Sequence, residues 1–198
     1  MGTRSTLALL TLLVVPALAS AQHVAGGGTP PSRVAPREAS QFDFLIGQWE
    51  LDVHVPASTL AQRIHGTPRI LGSWKAWRAF DGWGVEDEMR LMDGSGNPLN
   101  LLQSLRVYDA TARSWSLTGL DVYRARFSSS TAEWRDGTMT LTGRGADAEG
   151  HPQITRTRFT DITPASFKWQ QERSIDDGQH WTEVLRLEAK RVAAVAPR

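Results

Sequence analysis

The chain contains no cysteine. That excludes a disulfide framework and a thiol-attached lipid anchor. Charge of either sign is also missing as an excess: 22 Lys+Arg stand against 21 Asp+Glu, a net charge of +1. A nucleic-acid binder shows a basic surplus or stripe, so nucleic acid is not an expected partner. No apolar run reaches the roughly 18–20 residues that span a bilayer. The five histidines (His23, His54, His65, His151 and His180) show no metal-site spacing such as two residues four apart on a helix. No metal is therefore expected. The serines Ser128-Ser129-Ser130, placed in an expected loop, lack a Gly-any-Ser-any-Gly elbow. Gly143-Arg144-Gly145 follows a strand pattern but opens no helix, which argues against a phosphate cradle. No catalytic residue and no cofactor is assigned on these grounds.

What is present begins with a targeting pattern. Arg4 is followed by an apolar stretch at 7–17 and by Ala19-Ser20-Ala21, which predicts signal-peptide cleavage before Gln22. Loss of residues 1–21 takes away Arg4 and leaves the charges balanced. The protein is expected to be exported, periplasmic or extracellular, with no stable membrane insertion after cleavage. Residues 22–40, with Gly26-Gly27-Gly28 and Pro30-Pro31, read as a flexible leader. Residues 41–191 read as one domain, and 192–198 as a loose tail.

Within that domain the stretch Phe42-Asp43-Phe44-Leu45-Ile46-Gly47-Gln48-Trp49 leads into a strand whose odd positions (Trp49, Leu51, Val53, Val55) are apolar. A period of two buries one face and wets the other. Gly47 allows a close approach to whatever Trp49 packs on. Downstream, Asp-Gly pairs at 81–82, 93–94, 136–137 and 177–178 separate alternating segments, a strong hairpin signal. The segments fall at 70–80, 85–92, 101–108, 115–122, 132–135, 138–144, 154–162, 166–174 and 181–191. One short helix is allowed within 57–64. With the first strand this makes about ten strands in sequential hairpins. The expected fold is all-β, a single antiparallel barrel, which also removes exposed edges.

Four motifs carry a family resemblance: 42–49, Tyr108-Asp109-Ala110-Thr111 before Trp115, Asp161-Ile162-Thr163-Pro164, and Ser174 through Asp177-Gly178 to Trp181. Together they resemble a bacterial lipocalin-like (calycin-type) family described as domain of unknown function 1579, over roughly 41–191. The resemblance implies a lipocalin-like β-barrel of about ten strands around a cavity and carries no established activity. The nitrobindin barrels are more distantly similar, opening with glycine–any–tryptophan and binding haem through a histidine near the C-terminal strands. Here Leu51, Val53 and Val55 stand where those barrels carry glycines, and 185–191 holds no histidine. Haem is not expected.

Strand parity supplies the candidate site. Asp87 shares parity with Val85 and Met89, Asp121 with Trp115 and Leu117, and Glu183 with Trp181 and Leu185. Arg156 and Arg158 share it with Ile154 and Ile162, and Gln171 with Phe167 and Trp169. Buried carboxylates cost several kcal/mol each unless paired. Two readings stay open: end-of-strand ion pairs with a bulge shifting the count, or a polar floor in an aromatic cavity. On the second reading Asp87, Trp115, Asp121, Arg156, Arg158, Trp169, Gln171 and Glu183 are the ligand-binding residues, with Asp121 and Arg158 the first pair. Trp49, Trp74, Trp115, Trp169 and Trp181 are expected inside, and Trp77 and Trp83 at the outside or the rim. The expected function is binding of a small, partly apolar molecule. Acid–base catalysis by inward Asp or Glu with Arg is the first alternative, and an envelope interaction module using the rim around Trp77 and Trp83 the second.

Overall fold

The computed structural model describes residues 34–147 and 150–194. The expected signal peptide at 1–21, the leader as far as residue 33 and the tail from 195 lie outside the described residues.

Ten antiparallel strands follow one another in chain order. They are β1 (Gly47–His54), β2 (Ile70–Ala79), β3 (Gly84–Asp93), β4 (Pro98–Asp109), β5 (Ser114–Asp121), β6 (Arg126–Arg135), β7 (Thr138–Ala146), β8 (Pro152–Thr160), β9 (Ser166–Ser174) and β10 (Thr182–Ala193). Each pairs with the next, and β1 pairs with β10, so the sheet closes into an up-and-down barrel. A short helix, α1 (Leu60–His65), lies between β1 and β2 and starts on a capping box from Thr59 and Gln62. No helix among the described residues is long and apolar enough to cross a membrane.

The alternation works as an inside–outside code along most strands. In β1, Trp49, Leu51 and Val53 are buried while Glu50, Asp52 and His54 are exposed. Asp136 and Gly137 have φ of 49° and 77°, the two positive values that a two-residue hairpin loop demands. At Asp93-Gly94 the positive φ moves to Gly96, because the Asp93 carboxylate instead gathers the backbone N–H groups of Ser95 and Asn97 into a longer turn.

Two boundaries differ from the sequence expectation. Residues 37–40 form a 3₁₀ turn with Ala39 buried, its carbonyl accepting from Arg78 at 3.0 Å. The ordered domain thus starts upstream of Gln41. Ser128-Ser129-Ser130 lies within β6, where a loop is expected. Its backbone pairs with β5 from Asp121↔Arg126 to Trp115↔Ala132, and that ladder holds a strand without help from apolar alternation. β6 pairs with β7 only from Ser130↔Gly143 to Arg135↔Thr138. Residues 126–129 are therefore laddered on the β5 side alone.

One end of the barrel is plugged. The chain entering β1 folds two 3₁₀ turns, Arg37–Ser40 and Asp43–Leu45, across it. Phe42 and Leu45 are fully buried there. Phe42 meets the Trp115 ring edge-on at 4.8 Å, and Trp49 meets Phe167 at the same separation. Phe159 and Phe167 join these to Trp74 at 5.8 Å each. The Trp49 indole N–H donates to the Leu45 carbonyl at 2.7 Å. Arg191, from β10, lies 4.1 Å from the Trp49 ring and donates to the carbonyls of Ile46, Phe44 and Pro164. A Cβ on Gly47 would stand 2.0 Å from its Nη1. The glycine is thus needed for the guanidinium to pass.

Candidate ligand-binding cavity

The other half of the barrel is hollow. A cavity of about 350 Å³ opens toward the end that carries α1, a volume near the lower end of small-molecule sites, roughly 300–1,000 Å³. Its lining comes from β2 through β9 and takes nothing from β1 or β10. Met89, Leu102, Leu117 and Leu141 give aliphatic wall, and Trp74, Phe159 and Trp169 give aromatic wall. The β5–β7 side is built of small residues, Gly119, Ser128, Ser130 and Gly143, which is why space remains there.

Its floor is charged. Asp87 on β3 and Arg106 on β4 are both buried, at 1% and 4% exposure. The register opposes Asp87 to Ser104 and Val85 to Arg106, so the two charges are diagonal neighbours across the ladder. Arg106 Nη2 lies 2.9 Å from Asp87 Oδ2. The Trp74 indole N–H donates to Asp87 Oδ1 at 2.7 Å. The guanidinium carbon of Arg106 lies 5.1 Å from the centre of the Phe42 ring, on the plug below. The pair is a close ionic contact without an aligned hydrogen bond. Asp87 Oδ2 and Arg106 Nε and Nη1 are buried with no hydrogen-bond partner among the described residues. Asn100 Oδ1, nearer the mouth, shares that condition. Burial pushes the Asp87 carboxyl above the usual carboxylate range, against the pull of Arg106, the Trp74 indole and the Ser104 hydroxyl. Burial likewise lowers Arg106, opposed by Asp87.

The sequence-predicted residues are dispersed. Asp87, Trp169 and Gln171 line the cavity. Trp115 is fully buried but belongs to the plugged end, its indole N–H donating to Gln41 Oε1 at 3.0 Å. Asp121 ends β5 and pairs with Arg124 at 2.8 Å. The expected Asp121–Arg158 pair does not form. Arg158 and Arg156 lie on the outer face, where both meet Glu172, at 2.7 and 2.9 Å. The inward positions of β8 are instead Thr155, Thr157 and Phe159. Ile154 and Ile162 misled the parity count, since Ile154 lines a surface groove with Ser174 rather than the cavity. Glu183 is also outside, accepting from Gln170 and pairing with Arg186 at 2.9 Å. The register shift between Glu183 and Leu185 makes Val184 a bulge, and one extra residue reverses every face before it.

Trp181 is a further correction: it precedes β10 on the outside, half-buried under the Arg156 guanidinium at 4.0 Å. Trp77 has outward parity yet is buried, and its indole N–H donates to Glu86 at 3.1 Å. Arg106 was missed. Its signal was in the sequence: it shares parity with Leu102 and Tyr108, and an inward Asp87 requires an inward cation. The cavity lining contains one carboxylate, Asp87, so the clustered acids that acid–base chemistry needs are not assembled in it.

No family model matches the chain. No curated protein matches it. Two solved structures are similar to it in outline. The structure described as EF1p2_mFAP2b bound to DFHBI is 11% identical, covers 78% of this chain and 99% of its own, and has a TM-score of 0.39. The S-type phycobiliprotein lyase CPES from Guillardia theta is 11% identical, covers 80% of this chain and 97% of its own, and has a TM-score of 0.49. Neither likeness bears on the site; the barrel stands on this chain's own strand order.

Proposed function

We propose that this protein is an exported lipocalin-like barrel that takes up a small, partly apolar molecule in the cavity of its hollow half. The observation that carries the reading is the cavity's composition. Aliphatic and aromatic walls surround a buried polar floor whose ion pair leaves donors and an acceptor without a hydrogen-bond partner among the described residues, which is how small-molecule sites combine affinity with orientation. A packed core would not keep this arrangement, because each buried unsatisfied polar atom costs about 1–3 kcal/mol. Entry is from the α1 end. Leu60, Ile64, Leu99, Tyr123 and Phe127 are exposed apolar residues on elements at that end, and the stretch 126–129 of β6, laddered to β5 but not to β7, widens it.

Trp74 and Trp169 in the cavity wall make binding visible. Titration with a panel of fatty acids, aromatic acids and their neutral analogues should quench the intrinsic fluorescence saturably. Ser130→Phe, which fills the cavity from β6, should abolish that response. An unchanged response in Ser130→Phe would place binding elsewhere and end the proposal. Export rests on the pattern at 1–21. N-terminal sequencing of the secreted or periplasmic protein should begin at Gln22, and a chain retaining Met1 in the cytoplasm would refute it.

A further inference from the structure

The floor of the cavity is more specific than a polar patch. It offers both kinds of hydrogen-bonding group side by side: Arg106 Nε and Nη1 are donors, and Asp87 Oδ2, in ionic contact with Arg106 Nη2 at 2.9 Å, is an acceptor; all three are buried without a hydrogen-bond partner among the described residues. The two residues sit on adjacent strands, fixed by register and by the Trp74 indole. They are the titratable residues of the cavity lining, so the floor is a closed pair of opposite charges. A third, uncompensated charge would be expensive in that setting. A strong base or a bare anion therefore fits poorly. A group that accepts from Arg106 and donates to Asp87 fits without adding net charge.

We infer that the molecule bound here carries, at its buried end, a hydrogen-bond acceptor directly beside a donor, as in a carboxylic acid or an amide, with the acceptor on Arg106 and the donor on Asp87. This rests on the cavity-binding reading above and adds the chemistry of the anchor. A carboxylic acid meets the requirement when it enters with its proton, shared with Asp87; an amide meets it with its own N–H. The apolar body then lies along Met89, Leu102, Leu117 and Trp169 toward the mouth. Asn100 Oδ1, on the same strand as Arg106 and six residues nearer the mouth, is about 20 Å further along that strand at roughly 3.3 Å per residue. A small ligand held at the floor does not need it.

The test is calorimetric titration of the full mature chain with four probes on one ring system: 2-naphthoic acid, 2-naphthamide, methyl 2-naphthoate and naphthalene. The ester keeps the acceptor and loses the donor; the hydrocarbon loses both. The acid and the amide should bind at least tenfold more tightly than the ester. The acid should bind more weakly as pH rises, with proton uptake seen as a dependence of the heat on buffer ionisation, whereas the amide should show neither effect. This comparison uses the unaltered protein, so no variant has to fold. Asp87→Asn, whose side-chain N–H can donate to an ionised carboxylate beside Arg106, should remove the proton uptake. If ester and naphthalene bind as well as acid and amide, the anchor is wrong while the cavity reading survives. If none of the four binds, both fall.

Discussion

The two halves of this barrel are built from the same ten-strand ladder and spend it differently. At the plugged end, Phe42, Leu45, Trp49, Trp115, Phe159 and Phe167 are buried to 1% exposure or less, and the five aromatic side chains meet ring against ring. At the other end, glycines and serines of β5, β6 and β7 leave a cavity over a buried ion pair. The plugged half has satisfied its polar groups: the Trp49 indole and the Arg191 guanidinium all donate to carbonyls. The hollow half has not. Stability is therefore assigned to the first half and the proposed ligand binding to the second, with the Arg106 guanidinium beside the Phe42 ring marking the boundary.

That division can be attacked by substitution. The largest loss should come from Phe42→Ala, which opens the middle of the plug; truncating a buried Phe typically costs about 3–5 kcal/mol, read as a shift in denaturant midpoint. A loss under 1 kcal/mol would mean the plug is not the stabilising half. Arg106→Met should cost about 3 kcal/mol near pH 8, since it strands a buried carboxylate. The sign with pH follows from Asp87. Its carboxyl is already raised by burial, and removing Arg106 takes away the main opposing influence. A raised carboxyl contributes stability that is present below the unfolded value and lost as pH rises through the folded one. Arg106→Met should thus be more stable at pH 5 than at pH 8, and the reverse order in thermal melts would contradict the assignment. Glu172→Gln, on the outer wall between Arg156 and Arg158, should cost about 1 kcal/mol or less, as partly exposed pairs do. Asp121→Ala, whose partner Arg124 is 56% exposed, should cost below about 0.5 kcal/mol.

The legible part of the structure was the part governed by alternation. Trp49 to Val53 and Trp115-Ser116-Leu117 announce their buried face, and the Asp-Gly punctuation marks the β2–β3, β3–β4, β6–β7 and β9–β10 hairpins. The plug was visible as an apolar run, and Gly47 as a close approach, although its partner Arg191 stands at the far end of the domain. Parity failed wherever something interrupted the period. The bulge at Val184 reversed Glu183. On β8, Ile154, together with Ile162 just past the strand's end, outweighed Phe159, which faces inward. β6 was shortened because Ser128-Ser129-Ser130 has no apolar alternation, yet those small side chains are what keep the cavity open. Arg106 was hidden for a different reason. A buried cation becomes visible only when the demand of its carboxylate partner is followed across the ladder.

The central claim is that the Asp87–Arg106 pair is kept for a ligand and not for the fold, and the double variant Asp87→Leu with Arg106→Met measures this directly. Replacing a buried ion pair by apolar residues is often neutral or stabilising by about 1–4 kcal/mol. The account predicts a double variant at least as stable as the parent in chemical denaturation, and unable to distinguish 2-naphthamide from methyl 2-naphthoate. A double variant that loses more than about 2 kcal/mol, or that still prefers the amide, would contradict it.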